Sequence, residues 1–252
     1  MGQDKINNKY PSLTILIPAY NETNRITSSL DKIDEYISKK NNLIKVLIVN
    51  DGSTDDTELK VNTWIQKNSK NKDDFELLSY TPNRGKGYAI REGFLKINTD
   101  VVLYTDADCA SPVEESERLV GFLKDGYDII CGSRILRNNN TKVKMSFMRR
   151  CVGFVFHTFL FLLGLANLKD TQCGFKLFKT PAAKKIATSQ QCFNYSFDVE
   201  YLYLAKKFGY KIKEVSVNWQ EISGSKVNVL RDSIKMLIGI LKIRFVYKYN
   251  KG

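Results

Sequence analysis

The sequence has a single histidine, five prolines and five cysteines in 252 residues. The cysteines (Cys109, Cys131, Cys151, Cys173 and Cys192) are odd in number and far apart, and no Cys-x-x-Cys pair occurs. That spacing excludes a zinc ribbon or finger and argues against a disulfide framework, so the thiols point to a reducing compartment. There is no Gly-x-Gly-x-x-Gly fingerprint and no Walker loop, which removes the usual dinucleotide and P-loop readings. No apolar run reaches the about 20 residues of a membrane-spanning helix. The opening stretch MGQDKINNKYPSL lacks the apolar segment of a signal peptide. Internal repeats and low-complexity linkers are missing too.

What is present is a chain that is 43% hydrophobic, enough for a substantial core, with a formal net charge of +12. That balance favours a polyanionic partner: nucleic acid, an anionic membrane surface or a phosphorylated substrate. Short apolar runs alternate with amphipathic stretches from residue 12 to about 134. SLTILIPAY, IKVLIVNDGS, DFELLSY, DVVLYTDAD and YDIICGSR read as strands. Between the first two lies a helix with Ile26, Leu30, Ile33 and Ile37 on one face. Ser53 or Thr54 can cap the helix after the second strand. Ser111 with Glu114 makes a capping box after the fourth, with Pro112 at the first helical position. Strand–helix alternation predicts an α/β fold, a mostly parallel sheet sandwiched by helices, with ligands beyond the carboxyl ends of the strands. AYNE, NDGS, YTPNRGKG, DADC and GSR all fall at such ends.

Asp106 and Asp108, one residue apart at the end of an apolar run, can hold a divalent cation that cancels their repulsion. Mg²⁺ and Mn²⁺ suit such oxygen ligands. The competing reading is a loop with two solvated aspartates. Asp51, in NDGS, is either an acceptor for a base or ribose donor or part of a turn and helix cap. NRGKG sets Arg84 and Lys86 on either side of Gly85, with Gly87 following, an arrangement suited to a diphosphate.

TILIPAYNE, LIVNDGSTDDT, NRGKGYAIREG and YTDADCASP together resemble the family 2 glycosyltransferases of GT-A fold. GSR, DTQCGFKLF, FDVEYLYLAKKFGYKIKEVSVNW and GSK narrow the resemblance to the dolichyl-phosphate (polyprenyl-phosphate) β-glucosyltransferases, over about residues 12–226. The resemblance implies inverting transfer of glucose from UDP-glucose to dolichyl phosphate. It implies that Pro18, Tyr20 and Glu22 line the nucleotide pocket, that Asp51 contacts the uracil or ribose side, and that Asp106 and Asp108 bind Mg²⁺ or Mn²⁺ under the diphosphate. Arg134 would guard the acceptor phosphate, Lys226 would meet a phosphate from the C-terminal side, and Asp198 matches an acidic position near the sugar, where a catalytic base would sit. DADCASPVEE lacks the Gln-His continuation of mannose-transferring relatives, which favours glucose. An acceptor phosphate is already anionic and needs positioning more than deprotonation, which gives Arg134 and Lys226 more weight than Asp198.

The catalytic domain is expected over residues 1–226, with an interfacial apolar segment at 145–168 and a basic amphipathic tail at 227–252. Residues 137–150 carry five basic side chains and no acidic one, and 151–165 are mostly apolar. Both this segment and the tail read as amphipathic helices lying on a membrane surface, the alternative being ordinary core helices. The expected location is peripheral, on the cytoplasmic face. His157 is expected to be a satisfied buried histidine. The rival functions are a polyprenyl-phosphate mannosyltransferase, a family 2 transferase acting on a glycan hydroxyl, and a nucleic-acid-binding module. The last is disfavoured because the basic residues lie beside apolar helices rather than on an aromatic-interleaved face, so no nucleic-acid partner is expected.

Overall fold

A central strand that is apolar at almost every position needs cover on both faces. In the computed structural model, which describes residues 10–67, 70–138, 141–165, 168–222 and 229–249, it has that cover. The strand is β1 (Leu13–Ala19), buried throughout. After it come α1 (Ile26–Ile37), β2 (Ile44–Asp51), α2 (Thr57–Lys67), β3 (Phe75–Tyr80), α3 (Lys86–Lys96), β4 (Val101–Thr105), α4 (Glu115–Gly121) and β5 (Ile129–Ser133). The second half contains β6 (Val143–Lys144), α5 (Phe147–Leu162), β7 (Phe175–Lys179), α6 (Thr180–Ser189), α7 (Phe197–Lys207), β8 (Ile212–Ser216), β9 (Trp219–Gln220) and α8 (Val229–Phe245).

Seven strands form one sheet in the order β3-β2-β1-β4-β7-β5-β8, and β6 pairs with β9 apart from it. Side chains alternate across β1, so Ile15 and Ile17 join Leu30, Ile33 and Trp64 on one face, while Leu16 joins Ile90 and Phe94 on the other. Each such side chain, fully buried, contributes about 1.5–3 kcal/mol. The mostly parallel sheet between two helical layers agrees with the sequence reading. One strand departs from it: β7 runs antiparallel to both β4 and β5 and separates them. The reversal sets Phe175, at the amino end of β7, opposite Thr105, at the carboxyl end of β4. The segment before β7 therefore reaches the same edge of the sheet as the loops after β1, β2 and β4.

Two predicted caps differ. Asp55, not Ser53 or Thr54, receives the Thr57 N–H at 3.0 Å ahead of α2, because Ser53 Oγ is taken by the Asn21 N–H at 2.9 Å. The Ser111–Glu114 capping box does not form. Ser111 Oγ is buried without a hydrogen-bond partner, and α4 is entered through 3₁₀-type bonds, Glu115 N–H to the Pro112 carbonyl and Ser116 N–H to that of Val113.

A third cluster, with Leu160, Leu165, Val199, Ile240 and Ile243, packs α5, α7 and α8 together. Beyond it the two helices stay open: Phe147 is 80% exposed and Phe154 72%, and Leu241, Phe245 and Val246 are exposed on or just after α8. His157 is half-buried, and its Nδ1 has no hydrogen-bond partner, so it is not the satisfied histidine that the sequence suggested. Among the described residues no helix is long and apolar enough to cross a membrane.

Candidate active site

Asp51 ends β2 and is almost wholly buried. Both of its oxygens are engaged by the next loop. Oδ1 accepts from the Tyr80 hydroxyl and the Arg84 N–H, each at 2.8 Å, and Oδ2 accepts from Asn83 Nδ2 at 2.8 Å and the Gly85 N–H at 2.9 Å. Burial pushes its pKa above the ordinary carboxylate range, against the pull of these four bonds. Asp51 thus shapes the 83–85 loop, where the sequence reading gave it a direct contact with the base or ribose. Gly85 holds φ +101°, and a side chain there would meet the Phe193 carbonyl at 2.5 Å, so only glycine fits. Arg84 is exposed at the tip of the loop, donates to the Tyr88 hydroxyl at 2.6 Å and lies 4.9 Å from the centre of that ring.

The first strand contributes from the same edge. Pro18 is buried in β1 beside Val49, and Tyr20, just past the strand end, is 40% exposed. Glu22 is held by its own backbone, whose N–H donates to Thr57 Oγ1 at 2.7 Å. Its carboxylate takes Arg25 Nε and Nη2. The sequence reading missed Arg25. The hydrogen bonds it donates to the Glu22 carboxylate, above all, raise the Arg25 pKa.

Asp106 and Asp108 follow β4, as predicted. Each faces a cation of the chain: Lys86 Nζ is bonded to Asp106 Oδ1, and Arg25 Nη1 lies 3.7 Å from Asp108 Oδ2. That Nη1 is buried and has no hydrogen-bond partner. Burial, and then the neighbouring charge of Asp106, raise the pKa of Asp108. Burial works against the charge of Lys86, yet Asp106 and Asp198 outweigh it and raise its pKa. Asp106 has 37% of its side chain open to solvent. Its backbone N–H donates to the Gly174 carbonyl at 3.2 Å. Two hard carboxylates at one strand end, one of them open, fit an oxygen-seeking divalent cation. Among the described residues no group of three His, Cys, Asp or Glu could hold a metal. A cation here would complete its shell with water and substrate phosphates, as Mg²⁺ commonly does.

Asp198, at the start of α7, is buried and accepts from Lys176 Nζ at 2.6 Å and the Tyr104 hydroxyl at 2.8 Å, both on Oδ1. Neither donor was singled out from the sequence. Arg134 is committed inside the chain: Nε and Nη2 each donate to Asp170 at 2.8 Å, the backbone N–H donates at 2.9 Å, and the guanidinium lies 5.6 Å from the Trp219 ring. The pair braces the loop after β5, so the Arg134 charge meets a protein carboxylate where an acceptor phosphate was expected. Lys226 lies outside the described residues. The signal for Arg134 was there, since Asp170 is in the quoted DTQCG, but nothing in the sequence ties two residues 36 apart.

A larger concavity, about 540 Å³, lies at the opposite end of the sheet, where Pro11, Thr99, Asp100 and Lys179 border it. It is remote from the strand ends that carry the charged loops. The convergence of Glu22, Arg25, Asp51, Lys86, Asp106, Asp108 and Asp198 at the other end marks the site.

The sequence profile described as Glycosyl transferase family 2 matches residues 14–187. A dolichyl-phosphate beta-glucosyltransferase of Dictyostelium discoideum is 37% identical, over 98% of this chain and 77% of that protein. The proteins of the same name from Saccharomyces cerevisiae and Homo sapiens are 36% and 33% identical, each over 93% of this chain and 75% of the relative. Among solved structures, glucosyl-3-phosphoglycerate synthase from Mycobacterium tuberculosis, in complex with Mn²⁺ and UDP-glucose, has a TM-score of 0.70 at 18% identity, covering 96% of this chain and 82% of that one. That likeness is one of fold. A profile spanning both the loops after β1, β2, β3 and β4 and the strand β7, together with relatives similar along nearly the whole chain, assigns the protein: it belongs to glycosyltransferase family 2.

Proposed function

We propose that this chain transfers glucose from UDP-glucose to dolichyl (polyprenyl) phosphate with inversion, giving lipid-phosphate-β-glucose and UDP. The observation that carries the reading is the similarity to proteins named for that reaction over 93–98% of the chain. Pro18, Tyr20 and Glu22 border the nucleotide, and Asp51 serves it by fixing the 83–85 loop. Arg84 and Lys86 bring positive charge to the diphosphate. Asp106 and Asp108 are the residues that would hold Mg²⁺ or Mn²⁺. When bound, such an ion supplies positive charge beside the departing diphosphate. Lys86 and Arg25, now facing the two aspartates, would turn toward phosphate oxygens.

In the transfer, an oxygen of the acceptor phosphate forms a bond to the anomeric carbon. The bond from that carbon to the diphosphate breaks, and its electron pair leaves on UDP. The acceptor is already ionised, so no proton has to be removed and placement dominates. Asp198 is assigned to the sugar rather than to proton abstraction. Lys226 is assigned to the acceptor phosphate, and Arg134 to bracing the acceptor side through Asp170.

The lipid end of the acceptor calls for an apolar surface. The exposed Phe147, Phe154 and Phe161 of α5, with Leu241, Phe245 and Val246 at α8, supply one beside the exposed Arg150, Lys242 and Arg244. We assign that edge to the cytoplasmic face of a membrane. Flotation with anionic liposomes tests this assignment: Phe154→Asp with Phe161→Asp should release the protein, and unchanged flotation refutes it. The function itself is tested by offering radiolabelled UDP-glucose, UDP-galactose, UDP-N-acetylglucosamine and GDP-mannose with dolichyl phosphate and Mn²⁺. Label should enter the organic phase from UDP-glucose. No label in that phase, or preferential label from GDP-mannose, overturns the reading.

A further inference from the structure

A lysine with no solvent exposure stands in the middle of the sheet. Lys176, on β7, donates to Asp198 Oδ1 at 2.6 Å and to the Cys173 carbonyl at 2.7 Å. Tyr104, on β4 and equally buried, donates to the same carboxylate oxygen at 2.8 Å. Asp198 Oδ2 accepts no hydrogen bond among the described residues. A buried ion pair is weak evidence for stability, because desolvating two charges offsets much of their attraction, and apolar residues of similar size often serve the fold as well. An ion pair with a second donor on the same oxygen fixes where the carboxylate points.

Several contacts tie this arrangement to the reaction centre. Lys86 and Lys176 lie 5.8 and 5.4 Å from the centre of the one Tyr104 ring. Lys86 contacts Asp106 and is acted on electrostatically by Asp198. Burial disfavours the charge of Lys176, but Asp198 outweighs it and raises the lysine pKa, so the ammonium persists at neutral pH. The carboxylate is therefore clamped on one oxygen next to the cation that meets the first aspartate of the pair, and its other oxygen is left to accept.

We propose that Lys176 and Tyr104 are positioning residues that clamp Asp198 Oδ1 and so present Oδ2 as a fixed anionic acceptor for a hydroxyl of the donor sugar. The inference rests on the assignment of Asp198 to the sugar made above. A sugar hydroxyl is a donor of the right kind, and a hydrogen bond to an ionised carboxylate is stronger than one between neutral groups. Preorganisation matters because an unclamped carboxylate would have to be ordered each time the sugar binds.

The test is the ratio of UDP-glucose affinity to UDP affinity, measured by calorimetry with Mn²⁺ on the full chain. Lys176→Met should lower UDP-glucose affinity about tenfold and Tyr104→Phe about threefold, with UDP affinity held within about twofold. A purely structural role would lower the unfolding temperature and leave the ratio alone. If Lys176→Met does not fold, Tyr104→Phe decides, since it removes one hydroxyl and keeps both the ion pair and the ring. Asp198→Asn separates the two layers of the argument. If it lowers the ratio and the two clamp variants do not, the clamp is refuted while the sugar assignment stands. If none of the three moves the ratio, both are refuted.

Discussion

Replacing Gly174 by alanine puts a methyl group where the Asp106 carboxylate now lies. A Cβ at residue 174 would sit 2.1 Å from Oδ2, 2.4 Å from Cγ and 2.6 Å from Oδ1 of Asp106. Ordinary van der Waals contact begins at 3.4 Å, so the carboxylate must retreat by roughly 1 Å, well beyond the about 0.5 Å tolerance of a working site. The Gly174 backbone is outside the left-handed region, and alanine brings no conformational penalty of its own. The group displaced is the partly open end of a short side chain, which can rotate. The folding cost should therefore fall near the low end of overpacking, about 1 kcal/mol. The site should suffer far more. A misplaced ligand or its support typically costs about 10–100-fold in metal affinity, and a 1 Å error in positioning can cost about 100-fold in rate. Mn²⁺ binding in the presence of UDP, followed by electron paramagnetic resonance, should weaken by about that factor, with a similar fall in turnover and a nearly unchanged unfolding midpoint. Gly121→Ala is the control, because a Cβ there meets nothing within 4 Å. Mn²⁺ affinity and turnover within twofold of wild type in Gly174→Ala would refute the placement of Asp106 as a ligand held against β7.

Asp106→Asn or Asp108→Ala should abolish Mn²⁺-dependent glucose transfer while the protein stays folded by circular dichroism; near-normal turnover in both removes the metal assignment. Arg134→Ala strands the buried Asp170 charge and should destabilise the fold by about 3–5 kcal/mol in urea unfolding; a loss under 1 kcal/mol would return Arg134 to the acceptor phosphate. Glu200 is fully buried, and its pKa is raised to about 7 by burial, opposed by hydrogen bonds from the Tyr249 hydroxyl and the Gln191 and Cys192 N–H groups. An unfolded glutamate titrates near about 4.3, so the folded state holds the proton more tightly between the two values. The contribution of Glu200 to stability is thus complete below the unfolded pKa and is lost as pH rises through about 7. From pH 5 to pH 8, the stability of Glu200→Gln relative to wild type should improve by about 2 kcal/mol in paired urea titrations; a pH-independent difference contradicts the buried-acid reading.

The sequence carried those features that depend on neighbours along the chain. The buried strands, the face of α1 with Ile26, Leu30, Ile33 and Ile37, and the position of Asp106 and Asp108 after an apolar run follow from periodicity, which is local. The likeness of NDGS and NRGKG to family motifs placed Asp51 and Lys86 at one edge. It could not say that Asp51 would fill both oxygens with the next loop, since that depends on how β2 and β3 are set side by side. Only the tertiary structure decided the rest. Nothing in DTQCGFKLF marks Lys176 as a buried partner of an acid until β7 is inserted, antiparallel, between β4 and β5. Only then are Lys176, Tyr104 and Asp198 in contact, and only then does Gly174 abut Asp106. Arg25 meets Asp108 for the same kind of reason, across 83 positions of sequence. Side-chain pattern is written residue by residue. The order and direction of strands are settled by how the two helical layers bury the sheet, and that order is what brought these charges together.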